Sequence, residues 1–415
     1  MQTFIGFKEA LDLTLSNVSV GETEILPLRR LTGRILAEDV VAGVDCPSVS
    51  SSRKDGYAVV SSDVSEASPR HPVILEVIGN LVAGTSRELK IERGQAVRIT
   101  TGAPLPGGAD AVIAEEFCRR EENKIFAHNT AETGRNIHAR GRDIRQAETV
   151  ADKNKKLTPA LVGLLAAAGL DRALVYKFPK VAVIATGDEV VLPGEPLSKG
   201  RLYASNMVEL CSWLALMGLA YTAERVSDRK KDLKNAIAKY LPDVDVLLTS
   251  GGAWGSERDL ILDVVESMNW QGIYHRVRMG PGKPVGFGLL DKKPFFCLPG
   301  GPPSNEMAFI QLAIPALLKM KGDHPGFFPV APARLSETVQ GKNDWTDFVH
   351  ARLEYRQNQL WVYPARLKSS LQSMAGKEAL IIIPEDREKI DAGETVDIQL
   401  LTSSTISHLT TAPII

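Results

Sequence analysis

The chain has 415 residues, of which 44% are hydrophobic and 24% charged, and its formal net charge is −1. That is an ordinary globular balance, with length for about two to four domains at roughly 100–200 residues each. There is no basic excess to hold a nucleic-acid backbone or an anionic membrane surface, and no apolar run long enough to span a bilayer, so neither partner is expected.

The first residues, MQTFIGFKEALDLTLSNVSV, lack the basic start and apolar core of a secretory leader and predict an amphipathic helix with Phe7, Leu11 and Leu15 on one side. The cysteines, Cys46, Cys118, Cys211 and Cys297, form no CxxC pair and no zinc-type spacing, which fits a reducing compartment. A cytoplasmic location is the expectation. EILPL then predicts a short strand and LTGRILAEDVV a helix. From about 46 to 144, short β-type runs such as GYAVV, PVILEVIG, QAVRIT, DAVIAEE and KIFAH alternate with Gly and Pro, the texture of a small β-rich domain. TPALVGLLAAAGL predicts a helix capped by Thr158, with Pro159 in its first turn.

From about 179 to 325, apolar strands (KVAVIAT, AYTAERV, VDVLLTS, PFFCLPG) alternate with helices (SNMVELCSWLALMG, KKDLKNAIAKYL, ERDLILDVVESM, PSNEMAFIQLAIPALLKM). That alternation predicts an α/β domain with a parallel sheet covered on both faces. The rest returns to strands, DFVHARLEYR, QLWVYPA, EALIIIPE and TVDIQLL, and predicts a terminal β-barrel or sandwich.

In an open α/β sheet, ligands bind beyond the carboxyl ends of the strands. Three such ends are Gly-rich and polar here: ATGDEV (185–190), SGGAWGSERD (250–259) and LPGGPPSNE (298–306). Glycine lets the backbone approach a ligand, and a helix N-terminus offers free N–H groups to an anion. Carboxylates beside such donors suit a divalent cation that bridges them to a phosphate. The plainer reading is that Glu257 and Asp259 favour the first turn of their helix. In RVRMGPGKPVGFG, two prolines and a glycine hold Lys283 in a rigid turn with Arg278 nearby, an arrangement suited to an oxyanion. Thr101, in TTGAPLPGGADAVIAEE, offers a polar ligand group or simply a hairpin turn. Asp55 in SSRKDGYAV reads locally as an Asp-Gly turn, and Asp143 in GRNIHARGRDI as part of a solvated basic loop.

Taken together and in order, DGYAV, TGAPLPGGADAVI, GRNI…GRDI, ATGDE, DVLLTSGG, PGKP and LPGGPPS resemble the molybdopterin molybdenumtransferase family, which includes the C-terminal domain of gephyrin. The resemblance spans essentially the whole chain. It implies an α/β multidomain fold: a discontinuous helical domain (1–45 and 145–178), an inserted β-rich domain (46–144), an α/β domain like that of molybdopterin adenylyltransferases (179–325) and a C-terminal β domain (326–415). It also implies an elongated homodimer, with Asp55, Thr101 and Asp143 of one subunit facing Glu189, Asp245, Asp259 and Lys283 of the other. The implied reaction converts adenylylated molybdopterin and molybdate to molybdenum cofactor and AMP with the help of Mg2+, and contact with the adenylyltransferase that supplies the substrate is expected. Asp55, Thr101, Asp143, Glu189, Asp245 and Asp259 would be catalytic, the cation being held by Glu189, Asp245 and Asp259. Gly187, Asp188, Ser250, Gly251, Gly252, Lys283, Pro299, Gly300, Pro302 and Ser304 would bind the pterin nucleotide.

The chain departs from the family pattern near the substrate. SSRK brings Arg53 and Lys54 ahead of Asp55, Trp254 replaces a small serine, and Gly301 replaces an asparagine. Gly280 stands where a lysine is usual, and His350 where the family has an arginine thought to help bind molybdate. Arg53, Lys54 or Arg278 are candidates to restore the lost charge. Two further readings therefore stay open: insertion of tungsten from tungstate, and a non-catalytic paralogue that binds molybdopterin or the finished cofactor. A scaffolding role has no added interaction segment to support it.

Overall fold

The structure, a computed structural model, describes residues 1–251, 260–324, 326, 328–356, 358–365 and 368–401. They form two compact units: Thr23–Val175, and Met1–Glu22 together with the chain from Tyr176 onward.

The second of these is built on one sheet. Its first part comprises β1 (Gln2–Gly6), β2 (Val181–Thr186), β3 (Tyr221–Val226), β4 (Val246–Ser250), β5 (Gln271–Gly280), β6 (Gly286–Leu290) and β7 (Lys293–Leu298), ordered β3-β2-β4-β7-β6-β5 with β1 beside β5. Strands β3, β2, β4 and β7 are mutually parallel, and β6 runs antiparallel to both of its neighbours. Because side chains alternate across a strand, β2 sends Val181 and Val183 to one core and Ala182 and Ile184 to another. The first core is closed by helices α1 (Phe7–Ser16), α2 (Ser205–Leu216), α5 (Pro302–Ala308) and α6 (Ile314–Met320), and the second by α3 (Lys230–Tyr240) and α4 (described from Leu260 to Glu266). Burial on both faces is why these strands read as unbroken apolar runs. Helices α5 and α6 are joined through a π turn at Phe309–Ala313, ahead of Pro315, whose missing N–H cannot complete the regular ladder.

The C-terminal strands are β8 (Val330–Leu335), β9 (Thr346–Arg356), β10 (Gln359–Pro364), β11 (Ala379–Ile383) and β12 (Thr395–Leu400). They pair in the cycle β9-β10-β8-β12-β11-β9, a closed ring around Leu335, Val362, Ile381 and Ile398. Closure removes the free edges that an open sheet would expose. A short parallel pairing of β5 with β9, Met279↔Thr346 and Gly280↔Asp347, ties this ring to the α/β sheet.

The Thr23–Val175 unit contains a six-stranded sheet ordered Ala111–Ala114, Gly56–Val59, Gln95–Ile99, Val73–Leu81, Lys124–Ala127, Cys118–Glu121. A separate core gathers Leu26, Leu31, Leu36, Val40, Leu157, Leu165 and Val175 around the helix Pro159–Ala167. Thr158 caps that helix, its hydroxyl accepting from the N–H of Leu161.

Three expectations change. Residues 1–22 fold with the α/β unit rather than with 23–45, because Gln2–Gly6 adds to β5 as a parallel strand and α1 buries Ala10 and Thr14. The helix expected at the very start therefore begins only at Phe7. LTGRILAEDVV is not helical: Gly33 at φ +80° closes a turn, and the N–H groups of Leu36 and Ala37 go to the carbonyls of Lys155 and Leu174. RVRMGPGKPVGFG keeps its expected turn, which joins β5 to β6 as a hairpin within the sheet and carries Lys283.

Candidate active site

The carboxyl ends of β2, β4 and β7 open into a cleft of ≈ 1430 Å³. Its lining includes Glu189, Gly251, Lys283, Pro299, Gly300 and Ser304 of the expected set. Gly187 has φ +147° and Gly251 φ +100°, conformations that exclude most side chains. A Cβ on Gly251 would overlap the carbonyl oxygen of Thr186, and one on Gly300 would lie 3.6 Å from Gly251 Cα. A Cβ on Gly187 would come 3.0 Å from the Glu189 carboxylate, which folds back over that backbone. These glycines let three strand ends converge.

Asp228, which motif reading passed over, lies just beyond β3 and lines the cleft. Its Oδ1 accepts from Thr186 Oγ1 (2.6 Å) and its Oδ2 from the N–H of Asp188 (3.1 Å), while Asp188 Oδ1 accepts from the N–H of Asp228 (3.2 Å). Asp188 thus orients Asp228. Its own carbonyl is held by Arg201. The signal was available: SDRKKDL places an acid between a strand and the helix that follows it, the same context as the three Gly-rich ends.

Asp245 is a correction. It precedes β4, at the amino end of the strands, and its carboxylate accepts from the N–H of Lys180 at 2.8 Å. The five-residue strand between Asp245 and the mouth spans about 17 Å at about 3.3 Å per residue, so Asp245 cannot share a cation with Glu189. Asp259, Gly252, Trp254 and Glu257 lie outside the described residues. Among the described residues no cluster of three metal-type ligands occurs. Glu189 and Asp228 fit the lesser demand of Mg2+, which commonly takes one or two carboxylates and completes its shell with water and substrate phosphate.

Ser250 is buried, and its hydroxyl accepts from Asn305 Nδ2 (3.0 Å), which also donates to the carbonyl of Pro299 (2.7 Å). Ser250 is therefore a brace between strand ends, and Asn305 a positioning residue that the sequence reading omitted. Pro302 and Pro303 open α5 without N–H groups, which leaves Gly301 and Ser304 to supply that helix end's free donors.

In the Thr23–Val175 unit, Asp55 and Thr101 meet: Asp55 Oδ1 accepts from the N–H (2.7 Å) and Oγ1 (3.0 Å) of Thr101. The backbone bond chiefly, then the hydroxyl, holds the Asp55 carboxyl below its ordinary range and keeps it ionised. Asp143 pairs instead with His138, Nε2 to carboxylate 3.0 Å.

His350 does not line the cleft. Its Nε2 is 3.5 Å from Glu306 Oε2, in a buried cluster where Lys377 also pairs with Glu306. Glu209 of α2 shares a hydrogen bond with Glu306. Burial first, then Glu306, pushes the Glu209 carboxyl well above the carboxylate range. Glu306 is pulled upward by its burial, but bonds from His350 and Glu209 and the charge of Lys377 outweigh this and hold it low. The folded state thus keeps the Glu209 proton that the unfolded chain gives up. That stabilisation is full below the ordinary carboxylate value and fades as pH rises toward the raised one. Glu306 acts in the opposite sense, and only in more acid solution. The melting temperature is expected to fall between about pH 5 and about pH 8, and Glu209→Gln should flatten that slope. An unchanged slope in differential scanning fluorimetry would remove Glu209 as its source.

Comparison with known proteins follows the same lines. Residues 5–169 match the MoeA N-terminal region (domains I and II), 182–319 a probable molybdopterin binding domain, and 332–401 the MoeA C-terminal region (domain IV). Molybdopterin molybdenumtransferase 2 of Mycobacterium tuberculosis is 31% identical over 383 residues, covering 91% of this chain and 95% of its own. The molybdopterin molybdenumtransferase of Haemophilus influenzae is 30% identical over 387 residues, covering 91% and 94%. The crystal structure of a molybdopterin biosynthesis MoeA protein from Pyrococcus horikoshii superposes with a TM-score of 0.85 at 33% identity, over 96% of this chain and all (100%) of that one.

Proposed function

The chain belongs to the molybdopterin molybdenumtransferase family, and on that premise we propose how its cleft carries out the reaction. Molybdate and adenylylated molybdopterin are converted to molybdenum cofactor, and AMP leaves. The observation that carries the assignment of the site is one cleft lined together by Asp228, Glu189, Lys283 and Ser304.

Both substrates are anions. Lys283, on its proline-braced turn, and the N–H and hydroxyl of Ser304 bind oxyanion or phosphate oxygens. The open backbone at Gly251 and Gly300 lets the pterin nucleotide lie close to the strand ends. Asp228 and Glu189 would repel that nucleotide unless a divalent cation stood between them, and they are the residues that would hold Mg2+. When bound, the cation neutralises charge that develops on the cleaved pyrophosphate. Asp188 and Thr186 keep the Asp228 carboxylate aimed. Asp259 remains a proposed ligand on the family resemblance, as do catalytic roles for Asp55, Thr101 and Asp143. A cytoplasmic homodimer that receives its substrate from a molybdopterin adenylyltransferase completes the proposal.

The test is AMP release from adenylylated molybdopterin by the purified protein with Mg2+, with molybdate and tungstate supplied separately. Release that depends on molybdate is the expected result. Dependence on tungstate would reassign the metal. Tight pterin binding with no release under either oxyanion would reduce the protein to a binding paralogue.

A further inference from the structure

The cleft wall gathers cations from distant parts of the chain. Lys283 stands on the β5–β6 turn and Lys342 on the turn that leads into β9, and both line the cleft with Trp345. The Trp345 ring lies beside both ammonium groups, 4.7 Å from Lys342 Nζ and 5.8 Å from Lys283 Nζ. Phe4 packs edge-on against Trp345, ring centroids 5.8 Å apart, and Lys283 Nζ is 5.4 Å from the Phe4 ring as well. An aromatic face attracts each cation electrostatically, so one ring can hold two ammonium groups near one another against their mutual repulsion.

The turn that carries Lys342 and Trp345 is fixed by backbone bonds. The N–H of Lys342 donates to Asp347 Oδ2 (2.8 Å), that of Trp345 to the Lys342 carbonyl (3.0 Å), and that of Asp344 to the Glu385 carbonyl (3.0 Å). Arg278 is consumed in the same work, donating from Nε to the Asp344 carbonyl (2.9 Å) and from Nη1 to the Phe4 carbonyl (2.8 Å). A Cβ on Gly280, opposite Asp347 in the β5–β9 pairing, would overlap the Asp347 carboxylate, which would have to swing aside from its bond to the Lys342 N–H. Lys342, whose N–H is bonded to that same Asp347 carboxylate, brings an ammonium group to the cleft.

We propose that Lys342, braced by the Trp345 ring, is the second fixed cation of the oxyanion subsite beside Lys283, and that together they bind a tetrahedral oxyanion in the cleft. The inference rests on the proposed reaction, in which that oxyanion is molybdate or a phosphate of the pterin nucleotide. Trp345 is a positioning residue and Lys342 a binding residue.

The experiment compares full-length wild type with Lys342→Gln, Trp345→Leu and Trp345→Phe. It uses steady-state AMP release with each substrate varied in turn, and equilibrium titration with molybdate alone by calorimetry. Lys342→Gln should raise one KM about tenfold, the effect falling on KM rather than kcat. A rise in the molybdate KM identifies molybdate as the occupant, and a rise in the pterin-nucleotide KM identifies the phosphate. Trp345→Leu should follow Lys342→Gln, and Trp345→Phe, which keeps an aromatic face, should recover most of the loss. If wild type releases AMP and Lys342→Gln moves neither KM, the subsite assignment falls and the reaction stands. If wild type releases no AMP but binds molybdate with an affinity that Lys342→Gln weakens, the reaction falls and the subsite stands. Wild-type behaviour of Trp345→Leu in both measurements would overturn the bracing, and absence of both release and molybdate binding would overturn the whole.

Discussion

Asp228→Asn is expected to lower kcat for AMP release by at least about 100-fold, with only a small loss of stability, about 1–2 kcal/mol. The substitution keeps the shape of the side chain and removes its charge. Thr186 Oγ1 can still donate to the amide oxygen, but the N–H of Asp188 then faces an NH2 group in place of Oδ2. One mismatched hydrogen bond in a half-open setting is a modest structural loss. Under the proposed function, losing one of the two carboxylates that would hold the cation is a large functional loss, because charge building on the leaving phosphate would no longer be neutralised. AMP release and thermal melting, measured on the same preparation, separate the two effects. Near wild-type turnover would take Asp228 out of the mechanism.

Gly251→Ala should cost about 2–4 kcal/mol and most of the activity. At φ +100° an L-residue is strained, and its Cβ would collide with the main-chain oxygen of Thr186, which is fixed inside β2. Relief requires β4 to move away from β2 at the point where the cleft opens, so the strand mouth and the Asp228–Thr186 bond are disturbed together. Gly301→Ala is the control: Gly301 has φ −69°, and nothing lies within 4 Å of a Cβ placed there. It should lose about 0.5–1 kcal/mol as a helix N-cap, well short of the Gly251 loss. Urea unfolding followed by tryptophan fluorescence would register the difference, and equal midpoints for the two variants would show that the collision is relaxed at no cost.

Much of this architecture was legible in the residues because burial on both faces demands it. VAVIAT, VLLTS and PFFCL carry no polar face and had to lie inside a sheet covered by helices. Thr158 and Pro159 announced a helix start through chemistry that is local to three residues. The Gly-rich strand ends pointed to the cleft for the same reason, since a glycine after an apolar strand marks a close approach of backbone. The misplacement of Asp245 was avoidable from strand direction, because an acid that precedes the apolar run stands at the end away from the mouth. The omission of Asp228 has a different origin: without a neighbouring glycine it looks like a helix-start acid.

The N-terminal residues illustrate the limit. TFIGFKEALDL has helical periodicity, yet Gln2–Gly6 becomes a strand because an open edge of β5, more than 260 residues away in sequence, offers hydrogen bonds that no local preference can match. The sequence by itself determined the family, the reaction and the class of each layer, since these rest on local composition and on motifs whose parts are contiguous. Only the tertiary structure decided that His350 is drawn into a buried cluster with Glu306, and that Lys342 and Trp345 enter the cleft. Each of those outcomes depends on contacts between segments far apart in the chain, and the free energy of such contacts exists only once the sheet has brought them together.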